Sequence, residues 1–128
     1  MLFRSLEAAE QCPDPERRRV LQSAVVVGGG PTGCELAGSL VALMHDATRD
    51  LFRQLKPEDC RVTLVDPGER LLRAMHPSLS EATARHLRER GVDVLLGARV
   101  KEISAGHLRA TLANAAPGQA GEIGRAHV

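Results

Sequence analysis

The stretch Ser23-Ala24-Val25-Val26-Val27-Gly28-Gly29-Gly30-Pro31-Thr32-Gly33 constrains this chain more than any other. A short, continuous β-branched run of this kind reads as a strand buried on both faces, as in a parallel sheet. Three glycines end it. From Pro31 onward apolar residues recur at helical spacing, at Leu36, Leu40 and Leu43. Strand, glycine turn and helix in succession open a βαβ unit. The turn fits G-x-G-x-x-G, and its glycines have separate physical tasks. Gly28 permits the tight exit from the strand, Gly30 leaves room for a pyrophosphate against the backbone, and Gly33 lets helix and strand pack closely. Pro31 suits the first helical position, where its missing N–H costs nothing. The free N–H groups and the helix dipole then face an anion.

The rest of the chain extends this pattern. Leu2, Phe3, Leu6 and Ala9 are spaced for an amphipathic helix over residues 2–11. Cys12-Pro13-Asp14-Pro15 breaks it, and Glu16 to Gln22 resumes as helix with Arg17, Arg18 and Arg19 facing outward. The helix after the glycine loop runs to about Leu55. Arg61 to Asp66 is a second buried strand, ended by Pro67-Gly68. Ser78 to Arg90 is a helix, with Ser78 as N-cap, Glu81 completing a capping box and Gly91 as its stop. Val92 to Leu96 is a third strand. Arg99–Ile103 and His107–Leu112 form a hairpin around Ala105-Gly106. From Asn114 no period remains. The expected fold class is α/β: an incomplete Rossmann-type doubly wound parallel sheet with a β-hairpin, one sheet edge left bare. Residues 1–22 are a helical lead-in, 23–113 a partial NAD(H)-binding Rossmann domain, and 114–128 a disordered tail. Ile123 to Val128 resembles the translation of a short sequencing adapter and is set aside from fold reasoning.

Composition excludes several classes. Seventeen basic and sixteen acidic residues nearly cancel, and Phe3 and Phe52 are the only aromatics, so neither a basic footprint nor a stacking platform points to nucleic acid. No apolar run approaches the ~20 residues of a spanning helix, and Glu7 and Glu10 interrupt any signal-peptide layout. No direct membrane contact is expected of this segment, and the expected location is cytoplasmic or the matrix side of an organelle. The 17–19 arginine run reads as a solvated helix face, with phosphate binding as the other reading. His45, His76, His86 and His107 lack metal-ligand spacing, and Cys12, Cys34 and Cys60 form no Cys-x-x-Cys pair. Cys34 is either a small filler against a strand or a thiol of lowered pKa at a helix N-terminus.

A dinucleotide site needs an acid at the end of the second strand for the adenosine ribose hydroxyls, and Asp66 stands there. It lies 33 residues beyond Gly33, where ~20 is usual, and the long intervening helix accounts for the excess. A carboxylate there repels a 2′-phosphate and favours NADH over NADPH. The competing reading makes Asp66 a turn residue before Pro67-Gly68. Arg70 either swings toward a 2′-phosphate or points to solvent. A P-loop is excluded because Cys34-Glu35 follows Gly33, and a methyl-donor loop is disfavoured because Val25 to Val27 places no acid before the first glycine.

Val25 to Gly38, VVVGGGPTGCELAG, resembles the pyridine-nucleotide module of type II NADH dehydrogenases, two-dinucleotide-fold flavoproteins of the pyridine nucleotide-disulphide oxidoreductase superfamily. The likeness continues through Leu6–Glu10, Asp14–Arg18, Val62–Asp66 with Arg70-Leu71-Leu72, and Gly91–Val94 with Gly97–Val100. Family members often carry Val where this chain has Cys34. The resemblance implies a chain that presents NADH to an FAD held by another domain, the flavin then reducing a quinone. It matches Gly28, Gly30, Pro31, Thr32 and Gly33 to the pyrophosphate loop, Glu35 to a residue near the nicotinamide–flavin junction, Asp66 to the ribose acid and Val100 to the adenine's surroundings. For Glu35, stabilisation by the helix dipole is an equal reading. The flavin fingerprint and the membrane-binding helices of the family do not occur in this sequence, so the segment is expected to be inactive alone, its parent peripheral to an energy-transducing membrane. The alternative is a free-standing nucleotide-binding module without its own catalysis.

Overall fold

The computed structural model describes residues 2–104, 107–113 and 120–125. Two helices lead in, α1 (Leu2–Gln11) and α2 (Pro15–Leu21). Strand β1 (Ser23–Val27) passes through the glycine loop into α3 (Pro31–Leu51). A 3-10 turn at Pro57–Asp59 leads to β2 (Arg61–Asp66), then α4 (Pro77–Glu89) and β3 (Val92–Leu96). Strands β4 (Ala98–Ser104), β5 (His107–Leu112) and β6 (Ala120–Arg125) follow. The first three strands form a parallel sheet in the order β1-β2-β3, and the last three an antiparallel sheet in the order β4-β5-β6. The α/β class stands as expected, and among the described residues β1 and β3 are both edge strands of the parallel sheet. The turn at Ala105-Gly106 lies outside them, as do 114–119 and 126–128.

Alternation along the strands decides what each sheet face meets. Ala24, Val26, Val62, Leu64 and Val92 face Cys34, Ala37, Val41 and Met44 of α3 and Ala84 and Leu87 of α4. Val25 and Val65 face the opposite way, onto Ala98, Leu108 and Ala110 of the antiparallel sheet. The parallel sheet is therefore covered by helices on one side and by β4 and β5 on the other. This is why its strands read as unbroken apolar runs and not as alternating ones. Leu6 and Ala9 of α1 close a smaller cluster against Ala47 and Leu55. A leucine buried as Leu6 and Leu64 are contributes about 1.5–3 kcal/mol.

Several local expectations are corrected. The buried stripe of α3 is Cys34, Ala37, Val41, Met44, Ala47 and Thr48, while Leu36 and Leu43 stay about half exposed. Small residues on the sheet side let this helix approach β1 and β2 closely, so the leucines turn outward. Phe3 is likewise exposed. Helix α3 ends at Leu51, short of Leu55, because the Glu10 carboxylate accepts hydrogen bonds from the N–H groups of Arg53 and Gln54 and holds that segment out of the helix. The N-cap of α4 is His76, whose Nδ1 accepts from Ser78 N–H, and not Ser78; Pro77 takes the first helical position. Arg18 does not face solvent with its neighbours. Its guanidinium donates to the Cys12 carbonyl at 2.7 and 3.1 Å and closes the Cys-Pro-Asp-Pro turn. The expected disordered tail over 114–128 is contradicted at Ala120–Arg125, which pairs with β5 as β6 and takes in Ile123 to Arg125 of the adapter-like stretch. Pairing with an existing strand edge supplies order that the Ala- and Gly-rich sequence gives no sign of.

Candidate functional site

The carboxyl ends of β1 and β2 lie side by side, with Val27 opposite Val65. The glycine loop leaving β1 and the Pro67-Gly68 turn leaving β2 meet at that edge. The Gly28 N–H donates to the Val65 carbonyl and carries the ladder one residue into the loop. Gly28 has φ +112°, a conformation that L side chains rarely adopt. A Cβ on Gly33 would sit 1.8 Å from the Gly28 carbonyl oxygen, so only glycine lets α3 begin this close to the strand exit. A Cβ on Gly30 would meet nothing within 4 Å. Gly30 is exposed, is the N-cap of α3 and has no side chain to satisfy the helix N–H groups. The three glycines thus differ in what holds them: a backbone angle at Gly28, packing at Gly33 and open space at Gly30.

Asp66 has a more specific position than the sequence indicated. It is buried, and its carboxylate bridges two turns. Oδ1 accepts from Gly29 N–H at 2.9 Å and Oδ2 from Gly68 N–H at 2.8 Å. The turn reading of Asp66 is realised. It closes the Pro67-Gly68 turn, and it ties that turn to the glycine loop at the sheet's carboxyl edge. Gly29, a free position in the motif, was missed by sequence reasoning. A Cβ there would lie 2.7 Å from Leu71 Cδ2 and 3.0 Å from Asp66 Cβ, so a side chain would have to displace the buried Leu71. The run of three glycines was the available signal. The Gly29 carbonyl accepts from Leu72 N–H at 2.8 Å, and Leu72 takes up φ 51° to reach it. That left-handed conformation costs a non-glycine residue roughly 1–2 kcal/mol.

Around these contacts lies a cavity of about 190 Å³ lined by Gly29, Gly30, Pro31, Asp66, Arg70 and Arg73, among others. Arg70 neither swings free nor points to solvent. It donates to the carbonyls of Arg73 and Met75 and to the Ser80 hydroxyl, which fixes the loop over 70–75. Glu35 lies on the adjoining groove between α3 and α4, of about 770 Å³, with Pro31, Cys34 and Met75. Thr32 is exposed in the first turn of α3. Val100 is not brought to the cavity; it packs, half buried, with Val25, Val65 and Ala98. Cys34 is the filler. Burial chiefly, then the charges of Asp66 and Glu35, push its thiol pKa up, and its S–H points at the Gly29 carbonyl. The helix N-terminus does not activate it.

A parallel sheet whose first strand enters a helix through a glycine loop, with an acid at the end of the second strand, is a Rossmann-type βαβ arrangement, here with helices on one face and an antiparallel sheet on the other. The chain belongs to the pyridine nucleotide-disulphide oxidoreductase family, whose profile matches residues 2–120. It is 36% identical over 102 residues to the type II NADH:quinone oxidoreductase Ndh of Mycobacterium tuberculosis, covering 80% of this chain and 22% of that protein. It is 32% identical over 109 residues to the external alternative NADH-ubiquinone oxidoreductase of Yarrowia lipolytica mitochondria, covering 85% of this chain and 19% of that one. NDH2 of Plasmodium falciparum, solved in complex with NADH, superposes with a TM-score of 0.79 at 18% identity, over 93% of this chain and 24% of its own. The chain spans about a fifth of the length of these curated relatives.

Proposed function

We propose that this chain is the NADH-binding part of a flavoprotein oxidoreductase that passes hydride from NADH to FAD and on to a quinone. The observation that carries the reading is the joint made by Asp66. One buried carboxylate holds the Gly29 amide and the Gly68 amide, and so sets the glycine loop and the ribose-side turn at one cavity.

The residues fit the nucleotide. Open space stands where Gly30 lacks a Cβ, at the start of a helix whose first N–H groups have no side-chain cap. A pyrophosphate placed there meets the free N–H groups of the first turn, the arrangement that binds anions at helix N-termini. Gly28 and Gly33 shape that loop, Pro31 and Thr32 begin its helix, and Asp66 accepts from the ribose hydroxyls with its remaining lone pairs. Each carboxylate oxygen accepts one backbone N–H and keeps capacity for another donor. Glu35, on the groove one turn further along α3, lies on the nicotinamide side. The dihydronicotinamide supplies the hydride; this segment binds and orients it. The FAD domain is this segment's partner in the parent protein, which is peripheral to an energy-transducing membrane on its cytoplasmic or matrix face. No described helix is long and apolar enough to cross a membrane.

Titration of NADH and NADPH into the wild-type chain and Asp66→Ala, followed by nucleotide fluorescence, tests the reading. Wild type binds NADH more tightly, and the variant narrows the ratio. A like-charge contact or an unpaired acceptor costs about 1–3 kcal/mol, so the ratio changes by about fivefold to over a hundredfold. An unchanged ratio removes Asp66 from the site, and no binding of either nucleotide overturns the reading.

A further inference from the structure

The loop that leads into α4 is held at both ends by groups that the nucleotide reading leaves unused. At one end the Leu72 N–H donates to the Gly29 carbonyl of the glycine loop at 2.8 Å, and the Met75 N–H donates to the Leu72 carbonyl at 2.8 Å. At the other end stands His76, the N-cap of α4. Its carbonyl accepts from the Leu79 N–H at 3.0 Å. Its Nδ1 accepts from the Ser78 N–H at 3.2 Å, with the Ser78 hydroxyl 2.8 Å away. Arg70 joins the two ends. Its guanidinium donates to the Arg73 and Met75 carbonyls and to the hydroxyl of Ser80, which is buried in the first turn of α4. The path from the glycine loop to the helix cap is therefore continuous, and Gly29, Arg70, Leu72 and Met75 on that path line the cavity.

The cap works in only one protonation state of His76. A backbone N–H can only donate, so Nδ1 must present its lone pair, with the ring proton on Nε2. A proton on Nδ1 removes that acceptor, sets a second donor against the Ser78 N–H and puts positive charge at the end of a helix that disfavours it. The cap is thus complete at the alkaline end of the range in which an imidazole titrates and is lost at the acid end. The charged groups around this end are Glu69, Arg70 and Arg73 of the loop and Glu81 of α4, with Glu35 of α3 and His86 of α4 on the groove that Met75 shares. We propose that His76 is a positioning residue of the nucleotide site. With Nδ1 unprotonated it caps α4, the capped turn holds Ser80 against Arg70, and Arg70 holds the loop at the cavity. Nucleotide binding therefore weakens as the imidazole takes up a proton. The proposal rests on the reading of this cavity as the nucleotide site. It concerns the part of the site that NADH and NADPH share, so it sets affinity and not the choice between them.

The test uses the whole chain as wild type, His76→Asn, His76→Ala and Ser80→Ala. NADH is titrated at constant ionic strength from about pH 5.5 to about pH 8, with urea melts beside each titration. Asparagine caps a helix without titrating, and an N-cap is worth about fivefold in the equilibrium that it governs. Wild type should bind NADH about fivefold more weakly at the acid end than at the alkaline end. His76→Ala should bind weakly throughout, and His76→Asn should recover most of the lost affinity and hold it across the range. Ser80→Ala should lose the pH dependence of binding while its melts still weaken in acid, because the cap remains and only its link to Arg70 is cut. A cap that is merely structural moves the melts of His76→Ala and leaves NADH affinity unchanged, and that result overturns the proposal. The same pH profile of binding in wild type and His76→Asn also overturns it and leaves the nucleotide site intact, since the profile then belongs to other groups. Persistence of the wild-type profile in Ser80→Ala overturns the route through Arg70 and the proposal with it. Failure of wild type to bind NADH at every pH overturns both readings.

Discussion

A methyl group added at Gly33 and one added at Gly30 should have opposite consequences. At Gly33 the new carbon would stand 1.8 Å from the Gly28 carbonyl oxygen and 2.9 Å from its carbon, against an ordinary contact of 3.4 Å or more. The obstacle is backbone, and that backbone is pinned on its other side by the Gly28 N–H bond to Val65. Start of helix and end of strand must therefore separate by well over an ångström. Such overpacking costs about 3 kcal/mol, the upper end of the usual range, which is a large part of a small domain's stability. At Gly30 the methyl meets nothing within 4 Å, and φ is −78°, which any residue adopts. The cost to folding is the poorer N-cap, about 1 kcal/mol or less. The cost to binding is larger, because the methyl fills the space assigned to the pyrophosphate. A clash of this kind lowers NADH affinity by about tenfold or more. Urea unfolding followed by circular dichroism, beside NADH titration, separates the two effects. Equal destabilisation by Gly30→Ala and Gly33→Ala would refute the division of labour among the glycines. Full-strength NADH binding by Gly30→Ala would refute the pyrophosphate assignment.

Asp66→Asn leaves either Gly29 or Gly68 N–H facing an amide donor, and should destabilise the chain by about 1–3 kcal/mol in urea melts. Burial raises the thiol pKa of Cys34 and of Cys60 above the ordinary value, Cys60 despite its hydrogen bond with Thr48. The folded state thus holds those protons more tightly than the unfolded one. Their contribution to stability is complete below the unfolded thiol pKa and is lost as pH rises through the folded values, so melts should weaken in alkali and Cys→Ser variants should flatten that slope. Iodoacetamide near neutral pH should modify the partly exposed Cys12 well before Cys34 or Cys60, by mass-mapped peptide rates. Replacing His76 by Ala removes the side-chain cap of α4 and should cost about 1 kcal/mol, read from the same melts.

Local chemistry was written plainly in the sequence. The strand Ser23–Val27 and the strand Arg61–Asp66 announced themselves as β-branched runs closed by Gly28-Gly29-Gly30 and Pro67-Gly68, and Gly91 marked the end of α4, because turns and stops depend on a few residues' own backbone limits. The place of Asp66 at a strand end came from the same order of elements. What the sequence by itself could not determine were relations between segments far apart along the chain. Helical spacing alone fits more than one face of α3; only the approach of the helix to β1 and β2 selected Cys34, Ala37, Val41 and Met44 over Leu36 and Leu43. The length of that helix depended on Glu10, more than forty residues away from Arg53 and Gln54. Tertiary structure alone joined Asp66 to the Gly29 amide, gave Gly29 a reason to be glycine, and tied Arg70 down to Ser80 of α4. Hydrogen bonds and close contacts between distant segments leave no periodic trace, so a pattern-based reading finds the loop but not the carboxylate that holds it in place.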